Sequence, residues 1–410
     1  MHSRNPGRFR FVVGLLLAAS WASAGDVPVP AWLPPRPADH PALGAWLTPA
    51  QGRQALDGLL AQVPDRMAWE REAAHLRLRI RQAAGLDPWP QRTPLNPIVR
   101  GRRYCDGYVV DNVAFEPIPG YHATANLYFP SEPRASHPLV LSCHGHGRPE
   151  IGRCSETQQL RCGILARMGA LVLALDMVGF GESLAYLPSK DNHATPLSFT
   201  LQTWTAMRAL DLLVSLERAD ATRIAVTGES GGGTQSFVLA ALDERVAVSV
   251  PVVMVSAHFF GGCPCESGLP IHLGPDHFTT NAGIAALTAP RPQLLVSDGK
   301  DWTANTPTVE FPFLQRIYGL YGQGDQVANV HLAEEGHDYG PSKRQAMYAF
   351  LARHLRLDLA AVSGSDGRVD ERLASVTTPE ALHVFDARHP EDLRPTLADI
   401  AATLRRLRQP

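Results

Sequence analysis

One serine stands where a chain could turn it into a nucleophile. Gly228-Glu229-Ser230-Gly231-Gly232 follows the apolar run Arg223-Ile224-Ala225-Val226-Thr227 directly, and a strand running into G-x-S-x-G is the sequence form of a nucleophile elbow. Such a turn bends sharply from strand to helix and strains the serine backbone, so its neighbours must be small. Gly228, Gly231, Gly232 and Gly233 meet that requirement. With 34 glycines in 410 residues the pattern arises easily by chance, so its surroundings have to decide what it means.

A serine hydroxyl is a poor nucleophile at neutral pH and needs a base within hydrogen-bond reach and an acid that fixes the base's tautomer. Two later segments offer them. Gln293-Leu294-Leu295-Val296-Ser297 leads into Asp298-Gly299-Lys300-Asp301, and Val330-His331-Leu332 leads into Glu334-Glu335-Gly336-His337-Asp338. Among 16 histidines, His337 is singled out by its Gly-His loop after a strand and before the Pro341-Ser342 helix start. Asp301 lies farther into its loop and has the reach to meet an imidazole, whereas Asp298 suits a turn cap. Glu266 and Glu335 are distant reserves.

A tetrahedral oxyanion needs two backbone donors. The amide of Gly231 supplies one, and Cys143-His144-Gly145-His146-Gly147, which ends the apolar run Leu139–Ser142, offers the amide of His146 as the other. The side chains of His144 and His146 read as loop-shaping. Asp176-Met177-Val178-Gly179-Phe180-Gly181-Glu182-Ser183 lacks a P-loop lysine and reads as a tight turn lining a cleft. Glu229, Phe259, Phe260 and Trp302 are the candidate substrate-binding residues, the two phenylalanines belonging to a stretch (256–289) expected to cap the pocket.

These residues must be held by a common frame. Leu139–Ser142, Ala170–Leu175, Ile224–Thr227, Ala247–Val252 and Gln293–Ser297 are short and mostly apolar, as strands buried on both faces should be. Helical patterns lie between them near Glu156–Arg167, Leu201–Leu216 and Gly232–Ala241. Strands alternating with helices imply an α/β fold, a mostly parallel sheet flanked by helices with right-handed crossovers and its active site at the strands' carboxyl ends. Tyr108–Phe115 and Ala123–Phe129, separated by Pro117-Ile118-Pro119-Gly120, predict an antiparallel hairpin. The expected organisation is a signal peptide (1–24), a Pro-rich arm and helical extension (25–100), a catalytic domain (101–358) and a C-terminal appendage (359–410). In the appendage, Ser363-Gly364-Ser365-Asp366-Gly367 looks like a flexible join, and Leu393, Leu397, Ile400, Leu404 and Leu407 form a helical packing stripe.

Arg4, Arg8 and Arg10 precede an apolar stretch from Phe11 to Ala19, and Ala22-Ser23-Ala24 supplies the small residues a signal peptidase accepts. A helix from Phe11 to Ala24 would reach only about 21 Å against a hydrocarbon core of ~30 Å, so this is an export signal cleaved after Ala24 and not a membrane anchor. A periplasmic or secreted location follows. A net charge of −2 without basic clusters argues against nucleic acid or an anionic membrane as partner and favours a weakly charged small-molecule or saccharide substrate.

Six cysteines in an oxidising compartment allow several pairings, Cys154 with Cys162 being the nearest plausible one, while Cys143 at the end of a strand reads as a buried thiol. Cys263-Pro264-Cys265 with His272 and His277 nearby raises a metal reading, but the spacing matches no usual zinc pattern. Neither a metal nor any other cofactor is expected.

From about Tyr108 to Leu357 the chain resembles the α/β-hydrolases, and in particular exported bacterial acetyl xylan esterase-like and dienelactone hydrolase-like proteins. Gly228-Glu229-Ser230-Gly231-Gly232-Gly233, Ser297-Asp298-Gly299-Lys300-Asp301-Trp302 and Glu335-Gly336-His337-Asp338-Tyr339-Gly340 carry the likeness. The resemblance implies a Ser230, Asp301 and His337 triad, in the order serine, acid, histidine, and an acyl-enzyme route for carboxylic esters, with small acyl groups on carbohydrates as the substrate class. Gly231 departs from the acetyl xylan and cephalosporin deacetylases, which usually carry glutamine there. Two alternatives use the same residues differently. A prolyl-oligopeptidase-type peptidase would need a propeller that the roughly 80 residues before the hairpin cannot build. A non-catalytic binding protein would normally have lost a triad position.

Overall fold

The structure is a computed structural model describing residues 47–185, 193–385 and 395–409. The expected signal peptide and Pro-rich arm lie outside the described residues. Nine strands form one sheet: β1 (Ile98–Cys105), β2 (Tyr108–Ile118), β3 (Tyr121–Pro130), β4 (His137–Cys143), β5 (Leu171–Leu175), β6 (Ala219–Glu229), β7 (Val246–Val252), β8 (Gln293–Asp298) and β9 (Val327–Leu332). Their order is β1-β2-β3-β5-β4-β6-β7-β8-β9. The first three strands and the β3–β5 join are antiparallel, and every pairing from β5 to β9 is parallel.

The helices are α1 (Pro49–Gln62), α2 (Arg66–Ala83), α3 (Glu156–Arg167), α4 (Pro196–Val214), α5 (Gly231–Leu242), α6 (Pro264–Ser267), α7 (Asn281–Ala286), α8 (Glu310–Gly319), α9 (Pro341–Leu355) and α10 (Leu397–Leu407). Successive strand residues face opposite layers. Leu139, Leu141, Leu171, Leu173, Ile224 and Val226 join Leu210, Phe237, Ile284 and Phe313 in one core. Val140, Val172, Ala174 and Ala225 join Ile164, Met347, Tyr348 and Leu351 in the other. Both faces of the parallel strands are therefore covered, which is why their sequences read as unbroken apolar runs.

The N-terminal extension is two helices with side-chain caps. Thr48 and Gln51 form a reciprocal capping box for α1, and Asp65 accepts from the amide of Ala68 to start α2. Trp69, Leu76 and Ile80 then bury one face of α2 in the core. No propeller blade precedes the hairpin among the described residues.

Three expectations are corrected. The six cysteines are free, and Cys154 and Cys162 are instead buried in the core shared by α3 and α9. The segment 363–367 is a closed turn: Gly364 donates to Arg368 O at 2.8 Å, Gly367 donates to Gly364 O at 3.0 Å, and Ser363 bridges Val369. Buried Val362 and Val369 hold both its ends to the body, so it does not act as a flexible join. Phe260 is fully buried beside Leu47, its ring stacked on His272 at 4.5 Å. It belongs to the core and offers no surface to a ligand. Leu393 of the tail stripe lies outside the described residues, while Ile400 and Leu404 of α10 pack into the main core.

Glu310 opens α8 and is fully buried, its Oε1 accepting the amide of Ala257 at 2.8 Å while its Oε2 has no hydrogen-bond partner. Burial pushes this carboxyl up to about 7, so the native state keeps a proton that the unfolded chain has released above about 4.5. Stability is then fully present below about pH 4.5 and falls as pH rises through 7, by about 3 kcal/mol in all. Glu310→Gln keeps the acceptor and removes the titration. Melting temperatures measured from pH 5 to 8 should decline less steeply in this variant than in the parent; parallel curves would refute the assignment.

Candidate active site

β6 ends in Glu229 and α5 begins at Gly231, leaving Ser230 alone in the turn with φ 55° and ψ −121°. A non-glycine residue there is strained, and it is held by its own amide donating to Val252 O at 3.1 Å and its carbonyl accepting from Thr234 N at 3.0 Å. The turn is closed by glycine. A Cβ on Gly228 would stand 2.5 Å from Cys143 O, and one on Gly231 would stand 2.5 Å from Cε1 of His146. The His146 ring thus fills the space that a side chain at position 231 would need. This gives the departure from glutamine a local steric cause.

The loops after β8 and β9 bring Asp301 and His337 together. Nδ1 of His337 donates to Oδ2 of Asp301 at 2.6 Å, with the carboxylate buried and the imidazole one-third exposed. The other oxygen of Asp301 accepts from Thr303 N and Thr303 Oγ1, each at 2.5 Å. The carboxylate therefore cannot swing away, and the imidazole is left with its lone pair on Nε2. Asp298 is placed differently. It accepts from the amide of Lys300 and lies 3.5 Å from the buried ammonium of Lys343. Burial, and next the neighbouring Asp301 carboxylate, hold its carboxyl above the usual range.

Lys343 joins both loops. Its Nζ also donates to Gly336 O at 2.7 Å and Asp338 Oδ1 at 2.8 Å and pairs with Glu335 at 3.2 Å. Glu266 is buried under another loop, where its Oε2 accepts from the amide of Cys263. Neither reserve acid replaces Asp301 beside His337.

Ser230 and His337 line one open cleft of about 320 Å³ together with His144, Gly145, His146 and Glu229. A Cβ on Gly145 would lie 3.2 Å from Cβ of Ser230, so the loop after β4 passes directly over the serine. The first amides of α5 have no acceptor within the helix and carry its positive dipole end. His144 is fixed in its neutral form: Nδ1 donates to Gly145 O at 2.8 Å and Nε2 accepts from Met177 N at 3.0 Å, while burial holds its pKa down.

The four candidate binding residues divide. Trp302 tilts against His337 at 4.5 Å between ring centres and Phe259 stacks on Trp302 at 3.9 Å, so these two form an aromatic wall beside the imidazole. Glu229 faces the cleft but is paired with fully buried Arg161 at 3.0 Å. Arg161 also donates to Ser142 Oγ and Cys143 O and lies over the Tyr339 ring at 4.5 Å. It ties the ends of β4 and β6 to the segment after His337. Sequence reading did not identify Arg161, because an arginine inside an apolar helix carries no local signal of its partner.

A second buried cation shapes the turn after β5. Arg153 donates to Asn126 at 2.9 Å, to Glu182 at 2.6 Å, to Leu382 O at 2.9 Å and to Asp176. Asp176 and Glu182, which the sequence placed in a tight turn, are the acids that this guanidinium gathers. Among the described residues, one further set of side chains converges beside the cleft: His146, His193, Cys263 and Cys265 offer ligand atoms all within 4.8 Å of one another. His272 and His277, nearer in sequence to the cysteines, point elsewhere, to Asn281 and to Ile271 O.

The acetyl xylan esterase family model AXE1 matches residues 104–260. The solved structure of Methylesterase BT1017 is 40% identical and superposes with a TM-score of 0.81, covering 88% of this chain and 79% of that one. A CE15 glucuronoyl esterase from Teredinibacter turnerae T7901 is 16% identical with a TM-score of 0.54, covering 75% of this chain and 90% of that one. The acetyl xylan esterase from Paenibacillus sp. R4, at 18% identity and a TM-score of 0.50, covers 75% of this chain and all of that one. A search of curated proteins finds no match. No helix among the described residues is long and apolar enough to cross a membrane. The extended likeness at 40% identity, on a sheet of this order and pairing, places the chain in the family of α/β-hydrolase esterases to which Methylesterase BT1017 belongs.

Proposed function

We propose that this chain is an exported serine esterase that cleaves small ester groups on carbohydrates, with Ser230 as nucleophile, His337 as base and Asp301 as the group that orients it. The observation that carries the reading is the strained Ser230 turn opening into the same cleft as His337, whose Nδ1 is hydrogen-bonded to Asp301 at 2.6 Å. Nε2 of His337 takes the proton from Ser230 Oγ as the oxygen attacks the ester carbonyl. The amides of Gly231 and His146 face the developing oxyanion, a contact worth roughly 3–4 kcal/mol per donor in this class of chemistry. His337 then gives its proton to the departing alcohol, and water, activated the same way, releases the acid from the acyl-enzyme.

The likeness to Methylesterase BT1017 supports one reading of the leaving group. A methyl ester on a saccharide stands on a sugar carboxyl, so a methylesterase-like activity would release methanol and leave a uronate. Arg148 lines the cleft and is largely exposed, its guanidinium paired with the exposed carboxylate of Glu150 at 2.8 Å, and in exchanging that partner it would suit a polymer that already carries such carboxylates. The acetyl xylan esterase match over 104–260 supports a second reading, removal of acetyl groups from sugar hydroxyls. Methanol and acetate release, measured side by side on methyl-esterified oligogalacturonide and on acetylated xylo-oligosaccharide, separates the two. Methanol should predominate; acetate alone would favour the second reading, and neither product would refute the carbohydrate assignment.

A further inference from the structure

The cluster above the oxyanion loop has the composition and geometry of a metal centre. His146 comes from the loop after β4, His193 from the segment leading into α4, Cys263 from the N-cap of α6 and Cys265 from within that helix. Nε2 of His146 is 2.9 Å from Nε2 of His193 and 3.2 Å from Sγ of Cys265. A zinc ion with bonds of about 2.0–2.3 Å to nitrogen and sulfur sets tetrahedral ligands roughly 3.3–3.8 Å apart. With all four ligand atoms within 4.8 Å of one another, shifts of up to about an ångström would bring them onto such a sphere.

Hydrogen bonding favours the same conclusion. Nδ1 of His193 lies 2.5 Å from Val178 O, an acceptor only, so it carries the proton and Nε2 presents a lone pair to the cluster. That is the arrangement in which a metal-ligating histidine is normally held, its other nitrogen donating to a carbonyl or carboxylate. His146 has the corresponding carboxylate: Glu266, buried, stands 4.0 Å from its Nδ1. Both Nε2 atoms and the Cys265 sulfur are directed at one point, where a single cation would engage all of them.

We propose that His146, His193, Cys263 and Cys265 bind a single zinc ion in tetrahedral two-nitrogen, two-sulfur coordination, tying the loop over Ser230 to the segment that covers it. Two nitrogens and two sulfurs suit zinc better than the hard, oxygen-seeking divalent ions. Each thiol releases its proton to solvent as it ligates, so two thiolates balance the charge of the ion. The ion lies outside the proposed bond-making steps. Its role is to fix the His146 ring, which rests on Gly231, and to keep two neighbouring thiols from pairing with each other in an oxidising compartment.

Binding is independent of the esterase reading and is tested without it. The full chain, purified under reducing conditions and loaded with zinc, should hold about one zinc per chain by elemental analysis. Cobalt in its place should show a thiolate charge-transfer band together with tetrahedral ligand-field bands. Cys265→Ser and His193→Ala should each lose most of the bound metal and the cobalt bands, while Cys105→Ser keeps both. Because the cobalt spectrum is read on the unaltered chain, a variant that fails to fold leaves the test intact. Absence of stoichiometric metal and of the charge-transfer band, or a peptide map showing Cys263 linked to Cys265 in the protein as exported, would overturn the proposal. Loss of esterase activity with the metal still bound would count against the proposed function and not against this site.

Discussion

Ser230→Ala should lower ester hydrolysis by about a million-fold, the scale seen when a serine hydrolase loses its nucleophile. The size follows from what remains. Without Oγ no acyl-enzyme forms, and the proposed oxyanion donors, the amides of Gly231 and His146, could then assist only direct attack by water, which residual catalysis of this kind limits to roughly 10³–10⁴-fold over the uncatalysed rate. Alanine removes one oxygen from a backbone that Val252 O and Thr234 N hold in place, so the fold should persist. Turnover of p-nitrophenyl acetate and the circular dichroism spectrum, taken on the same sample, check both halves. Unchanged turnover with an intact spectrum would remove Ser230 from the mechanism.

Asp301→Asn should lower kcat by up to about four orders of magnitude with little change in melting temperature. Asparagine can present its amide to Nδ1 of His337 and so favour the tautomer with the proton on Nε2, where the base must be bare. The two threonine donors that hold Oδ1 of Asp301 make this misassignment persistent. Asp298→Asn is the informative partner. Asp298 is buried beside Lys343, and the imidazole's hydrogen bond is made by Asp301 instead, so its loss should lower the melting temperature and leave most of kcat. Breaking a buried ion pair by removing one charge costs about 3–5 kcal/mol. Should Asp298→Asn instead abolish turnover at full stability, the orienting acid would be Asp298.

How much of this was legible in the chain depends on the distance over which each feature is determined. The parallel strands and the helices between them are written in local apolar runs, and Glu156–Arg167 is a helix with the bounds its pattern suggests. β1 was not legible, because Ile98–Cys105 carries three arginines on an exposed edge and shows no buried alternation. α8 was missed for a related reason, its N-terminal Glu310 and the following Phe-Pro breaking the expected polar start. For the candidate site, the order of Ser230, Asp301 and His337 and the glycines around them are local marks of where the chain turns. The assignment of Phe260 to a binding wall failed because aromatic composition does not say which of two adjacent rings faces inward.

The clustering of His146 and His193 with the two cysteines was invisible for a different reason. The nearest histidines in sequence, His272 and His277, are committed to Asn281 and Ile271 O, and the partners arrive from two other loops that only the sheet order brings together. Arg153 and Arg161 illustrate the same limit: each is fully buried, and each gathers groups from strands and turns far apart in the chain.

The most direct measurement is covalent capture. An organophosphonate that reacts with activated serines should inactivate the full chain with loss of its leaving group, and peptide mapping should find a single adduct on Ser230. The adduct should form far more slowly when His337 is replaced by alanine, since Ser230 then lacks its base. An active enzyme that carries the label on another residue, or that stays active and unlabelled under conditions where other serine esterases react, would contradict the central claim.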